Sequence, residues 1–159
     1  MRRLTFLEQW MPAIKRWANM SNLEPSLLAA LVWQESSGRE RAYRFEPGFW
    51  RRYLAGKVRW APSSGSSPEE VAHHIRRVSA SYGLCQIMYP VACENGYVGE
   101  PEGLFDPDTN LKLGARILAA HINRAGGRTA GGLLRYNGGG RPAYADEVLR
   151  KKARVEELQ

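Results

Sequence analysis

The sequence predicts a mainly α fold with little or no β-sheet, and three observations carry that expectation. Apolar residues recur at three- and four-residue spacing in segment after segment. Proline heads several of these segments, where its missing N–H leaves no hydrogen bond unmade. No segment alternates apolar and polar residues over several repeats, as a half-buried strand would. The 159 residues, 43% of them hydrophobic, suit a single domain whose core needs no staple. No internal repeat is visible, and no apolar run approaches the ~20 residues of a membrane span.

Taken in order, Leu4, Leu7, Met11, Ile14 and Ala18 form a helical stripe flanked by Phe6, Trp10 and Trp17, which Pro12 should bend or restart. A second helix is expected from Pro25 to about Ser37. In the long stretch 39–80, residues 46–54 could form a short helix and residues 61–67 a loop. Ser67, Pro68, Glu69 and Glu70 then announce a helix reaching about Val78. Residues 82–88 are expected to be a short helix or turn, and Pro90 to start another helix through Glu94. Asp106 caps a helix with Pro107 in its first position, whose apolar side is Leu111, Leu113, Ile117, Leu118 and Ile122. Gly126 and Gly127 end it, Thr129 begins a short helix, and a last one runs from Tyr144 to about Glu157.

The candidate chemistry lies in LLAALVWQESSG, residues 27–38. Leu27 or Leu28, Leu31 and Glu35 fall on one helix face, so the Glu35 carboxyl is brought to the apolar side. Gly38 reads as the residue past the helix end, which puts Glu35 in the last turn beside unpaired carbonyls. Desolvation and that field both disfavour ionisation and raise the pKa, as a general acid requires. The same spacing also fits a glutamate at a helix end with its head in water.

The net charge of +7 favours polyanionic partners such as an anionic envelope or DNA, though a solvated basic surface would have the same composition. No recognition-helix motif points to specific nucleic-acid binding. The opening segment, MRRLTFLEQWMPAIKRW, interrupts its apolar stretch with Glu8, Gln9, Lys15 and Arg16 and is not expected to act as a Sec-type signal peptide. Cys85 and Cys93 lack metal spacing, and two buried free thiols are expected of them. His73, His74 and His121 form no ligand cluster and read as surface or helix-flank residues, so neither metal nor cofactor is expected.

Four segments share an order that carries more than any one of them: QES at residues 34–36, SYGLCQIMYPVA at 81–92, LFDPDTNLKLGARIL at 104–118, and RYNGGG at 135–140. Together they resemble the motif series of the soluble lytic transglycosylases, relatives of goose-type lysozyme, over roughly residues 23–148. The resemblance implies a lysozyme-like fold, peptidoglycan glycan strands as substrate, and Glu35 as the catalytic acid. It implies that Ser36 and Gln86 hydrogen-bond around the sugar, that Met88 walls the cleft, and that the Tyr136 hydroxyl orients the Glu35 carboxyl, with Asn137 in the supporting turn. Loop hydrogen bonding for Gln86 and Asn137, and core packing for Met88, are the alternatives.

In such enzymes the acid protonates the bond between N-acetylmuramic acid and N-acetylglucosamine. It then serves as base on the muramic acid's C6 hydroxyl, giving a 1,6-anhydro product. A second carboxylate is not required, and Glu46 in YRFEP is the secondary candidate should one be used. Residues 39–80 exceed the corresponding link in simpler members and read as an insertion. Its aromatics Phe45, Phe49, Trp50, Tyr53 and Trp60 could pack locally or stack on sugars. Arg135 and Cys85 depart from the family pattern. A phage endolysin or virion-associated lysin, with tail or other virion proteins as partners, is the expected setting. A hydrolysing muramidase of the same fold and a catalytically silent glycan-binding tail module are the alternatives.

Overall fold

The computed structural model describes residues 4–159; residues 1–3, the basic start of the opening segment, lie outside the described residues. The leading stripe is two helices, α1 (Thr5–Glu8) and α2 (Met11–Met20), with Pro12 in the first turn of the second. Proline therefore restarts the helix, because its ring is accommodated only where no preceding turn exists.

Helix α3 (Pro25–Ser36) is buried on every side from Ser26 to Val32, including Leu27, Leu28, Leu31 and Val32, while Trp33, Gln34 and Glu35 are partly buried. The face inferred from Leu27, Leu28 and Leu31 is thus part of a stretch enclosed all round, the pattern of a central core element. It packs chiefly against α9 (Ala143–Glu157), and also against α2. Its end is fixed by Ser37 in the left-handed region and by Gly38 at φ +76°. A side chain at Gly38 would lie 2.5 Å from the Phe6 carbonyl oxygen. The Gly38 carbonyl accepts a hydrogen bond from Trp10 Nε1 at 2.8 Å, tying the junction of α1 and α2 to the end of α3.

A small antiparallel sheet takes up part of residues 82–88, where the sequence suggested a short helix or turn. Strands β1 (Tyr43–Phe45), β2 (Ala80–Tyr82) and β3 (Ile87–Met88) lie in the order β1-β2-β3, with Tyr43 opposite Tyr82 and Ser81 opposite Met88. Residues 82–88 are accordingly the end of β2, a tight turn and β3. Strands of two or three residues are too short to show alternation, and β2 is buried on both faces.

Between β1 and β2 the chain forms α4 (Pro47–Phe49), a π-helical turn (Trp50–Leu54), a 3-10 turn (Val58–Trp60) and α5 (Pro68–Val78). The Ser67 signal is a capping box: the Glu70 N–H donates to Ser67 Oγ and the Ser67 N–H to the Glu70 carboxylate. The hydroxyls of Tyr43 and Tyr82 donate to the Arg76 and Arg77 carbonyls, joining the C-terminal end of α5 to the sheet.

Helix α6 (Tyr89–Glu94) and a 3-10 turn (Pro101–Phe105) lead to α7 (Pro107–Arg124), which Asp106 caps by accepting from the Thr109 N–H at 2.9 Å. One turn into α7, the buried Asn110 accepts from the Cys85 N–H and donates to the carbonyls of Tyr82 and Leu104, each at 2.8 Å. Gly83 lies against it at φ +75°, and a side chain there would meet Asn110 Nδ2 at 2.4 Å. Helix α8 (Thr129–Tyr136) packs on α7 and α9, and one buried cluster extends from Leu7 to Val155. Among the described residues no helix is long and apolar enough to cross a membrane.

Replacing Asn110 by Ala strands one buried N–H and two carbonyls at once. An unmet buried polar group costs ~1–3 kcal/mol, so Asn110→Ala should destabilise the fold by about 3–5 kcal/mol after partial relaxation. Urea unfolding is the check, and a loss under 1 kcal/mol would show that the turn does not depend on this side chain.

Candidate active site

Glu35 occupies the last turn of α3, mostly buried, and its carboxylate accepts a hydrogen bond from the Tyr144 hydroxyl in the first turn of α9. Burial raises its pKa above the usual carboxylate value, while the Tyr144 hydrogen bond and the Arg44 charge oppose part of that rise. The net shift is upward, in the direction proton donation requires. Two glutamines of the sequence frame its surroundings: Gln34, donating to Glu147 at 2.9 Å, and Gln86 on the β2–β3 turn.

A cleft of about 1140 Å³ is lined by Glu46, Gln86, Met88, Tyr136 and Asn137, and Glu35 lies near Tyr136 of that wall. Glu35 is not part of that lining. The same cleft is bordered by Phe49 and Tyr53, whose rings are 4.9 Å apart, and by His121, Arg124 and Arg135. Phe49 and Tyr53 therefore serve the cleft, not a closed local core, and Tyr53 is 47% exposed.

Several expected roles change with the geometry. The Tyr136 hydroxyl donates to the Cys85 carbonyl at 2.6 Å, so the hydroxyl that orients Glu35 is that of Tyr144. Ser36 is buried, and its Oγ donates to the Leu84 carbonyl at 2.8 Å and back to Val32, which fastens the β2–β3 turn to α3. Gln86 sits in the left-handed region at φ +49°. Its amide accepts from Ser81 Oγ and donates to the carbonyls of Ala42 and Gly83, so its side chain holds the turn. Glu46 is paired with Arg44 at 2.9 Å.

Cys85 is a free, buried thiol, and Cys93 is free and only half-buried, which corrects the expectation of two buried thiols. His74 and His121 are half-buried on helix flanks. His74 Nε2 is hydrogen-bonded to the Trp60 carbonyl at 2.7 Å. His121 stands edge-on to Tyr136, and its buried Nδ1 has no hydrogen-bond partner among the described residues. Among the described residues no three His, Cys, Asp or Glu side chains gather as metal ligands.

Sequence reasoning missed Tyr144 because 109 residues separate it from Glu35 and it belongs to none of the four motifs. An aromatic heading the last amphipathic helix was the one available signal, and such a residue reads as core. Comparison with curated proteins and with solved structures gives no match. A family model, by contrast, covers nearly the whole chain, matching residues 12–157. With that match over residues 12–157, the chain belongs to the transglycosylase SLT domain family, the lytic transglycosylases that act on peptidoglycan.

Proposed function

We propose that this transglycosylase cleaves the β-1,4 bond between N-acetylmuramic acid and N-acetylglucosamine and closes a 1,6-anhydro ring, with Glu35 as its one catalytic carboxyl. The observation that carries the reading is the mostly buried Glu35, its pKa raised by desolvation and its carboxyl held by Tyr144, near Tyr136 of the cleft wall. Protonated Glu35 donates to the glycosidic oxygen as the C1–O bond breaks, and the neighbouring N-acetyl group stabilises the positive charge on the sugar. The resulting carboxylate takes the proton of the C6 hydroxyl, whose oxygen bonds to C1. Glu46 already balances the Arg44 guanidinium, which disfavours it as a free nucleophile.

In this reading Met88, Tyr136 and Asn137 border the bound glycan, Gln86 shapes the cleft through the turn it holds, and Phe49 and Tyr53 offer ring faces for sugars. The segment 39–80, taken as an insertion in a single domain, supplies that aromatic wall. A phage lysin, released at lysis or carried in the virion, is the setting we assign. A net charge of +7 suits an envelope rich in anionic polymers. Proteomics of purified particles tests the virion-borne form.

Mass spectrometry of digested sacculi tests the reaction. Anhydro-muropeptides are expected, whereas reducing muramic acid ends would assign a hydrolysing muramidase, and intact sacculi a binding module. Glu35→Gln should abolish release. Because a raised carboxyl pKa costs stability as pH rises from the usual Glu value through that of Glu35, the same variant should melt above the wild type at pH 7–8. That gain should vanish below about pH 4, where the wild-type carboxyl is protonated in both folded and unfolded chains. Thermal scans across pH check the sign.

Tyr144→Phe and Tyr136→Phe should separate. The first removes a hydrogen bond that favours the charged carboxylate, so turnover should fall ~10-fold or more and the alkaline limb of the pH profile should move upward. The second leaves the Cys85 carbonyl unmatched, and should cost about 1–2 kcal/mol of stability while keeping the profile in place. Exchange of these two outcomes would return the orienting role to Tyr136.

A further inference from the structure

The cleft is not electrically neutral. Its lining includes Arg51, Arg52, Arg124 and Arg135 against two carboxylates, Glu46 and Glu94, and the first of these is already taken by Arg44. Arg52 lies over the Tyr53 ring, 5.9 Å from its centroid. Arg124 and Arg135 come from the C-terminal ends of α7 and α8, are exposed, and make no ion pair or hydrogen bond among the described residues. Elsewhere in the chain Arg77 is held by Glu100 and Glu102, and Arg141 by Glu147. Both free guanidiniums lie near enough to His121 to depress its pKa together with burial, and His121 packs edge-on against Tyr136. Tyr136 in turn binds the Cys85 carbonyl, next to Gln86 in the turn that borders the site.

A pair of unpaired guanidiniums on a cleft wall is built for planar anions, which they bind through paired N–H donors. A neutral sugar has no use for two such charges. A muramic acid held in the cleft carries a peptide on its lactyl group, and that stem bears free carboxylates. We infer that Arg124 and Arg135 form a subsite for the carboxylates of the peptide stem, so that the enzyme selects glycan strands by the peptide they carry as well as by their sugars. The inference rests on the peptidoglycan reading above and adds a specificity that Glu35 chemistry does not need.

The test is binding, measured by calorimetry on the Glu35→Gln chain so that no turnover intervenes. Two probes are compared at low salt: a muramic acid-containing tetrasaccharide with free-acid tetrapeptide stems, and the same glycan with those carboxylates amidated. The free-acid probe should bind ~10-fold tighter, and Arg124→Gln/Arg135→Gln should reduce that preference to within twofold. The affinity for the amidated probe should change less than twofold. Arg150→Gln/Arg154→Gln, which removes two charges from α9 away from the cleft, should keep the preference. Equal affinity for both probes, equal loss on both in the cleft variant, or the same loss in the α9 variant would each overturn the subsite. Failure of the wild type to release anhydro products, with the preference intact, would instead sink only the catalytic reading.

Discussion

On a single buried amide, Asn110 gathers the N–H of Cys85 and the carbonyls of Tyr82 and Leu104. Those three groups belong to the β2–β3 turn and to the segment entering α7, so one side chain sets where a strand pair sits on a helix start. The turn then reaches α3 through Ser36 and α8 through Tyr136. Glu35, Gln86 and the cleft wall are thereby referenced to one point in the core. In an interior where unmet polar groups are expensive, such a hub is satisfied in one geometry and fails in most others. Glycine at 83 follows from the same demand, because any side chain would occupy the space of the amide.

The carboxyl at the end of α3 is placed at a cost to the fold. A helix enclosed all round from Ser26 to Val32 needs no acid in its last turn, and desolvation makes the charged form of Glu35 unfavourable. Tyr144 and Arg44 offset part of that penalty without cancelling it. The balance leaves a group readier to be neutral than an exposed glutamate, yet with a hydroxyl waiting to receive the charge once its proton has gone. The proposed acid-then-base role of Glu35 would use both halves of that arrangement.

What the sequence disclosed, and what it concealed, divides along physical lines. Helices were legible because their signals are local: Pro at first turns, Ser67 and Asp106 as caps, and spacing of three and four among apolar residues. The sheet was not, since strands of two and three residues hold no period to read. Glu35 could be singled out from its own helix, whereas the hydroxyl that serves it comes from α9, and nothing local distinguishes Tyr144 from a core aromatic. Tyr136 stood in the motif and does hold the site, but through the Cys85 carbonyl. A motif shows which residues gather in one place and leaves open which atom meets which. For the same reason the motif did not disclose that Ser36 and Gln86 hydrogen-bond to backbone carbonyls of the turn.

Cys85 is closed in on three sides: its N–H by Asn110, its carbonyl by Tyr136, and its sulfur by Gly114, where an added methyl would come within 2.5 Å. Burial also keeps the thiol protonated, since its pKa is pushed far up. A thiol so enclosed reacts only when the turn lifts from α7, while the half-buried Cys93 needs no such opening. The chain thus carries an internal clock for its β2–β3 turn: the labelling rate at Cys85 would count excursions of the segment that borders the cleft, with Cys93 in the same molecule as the reference.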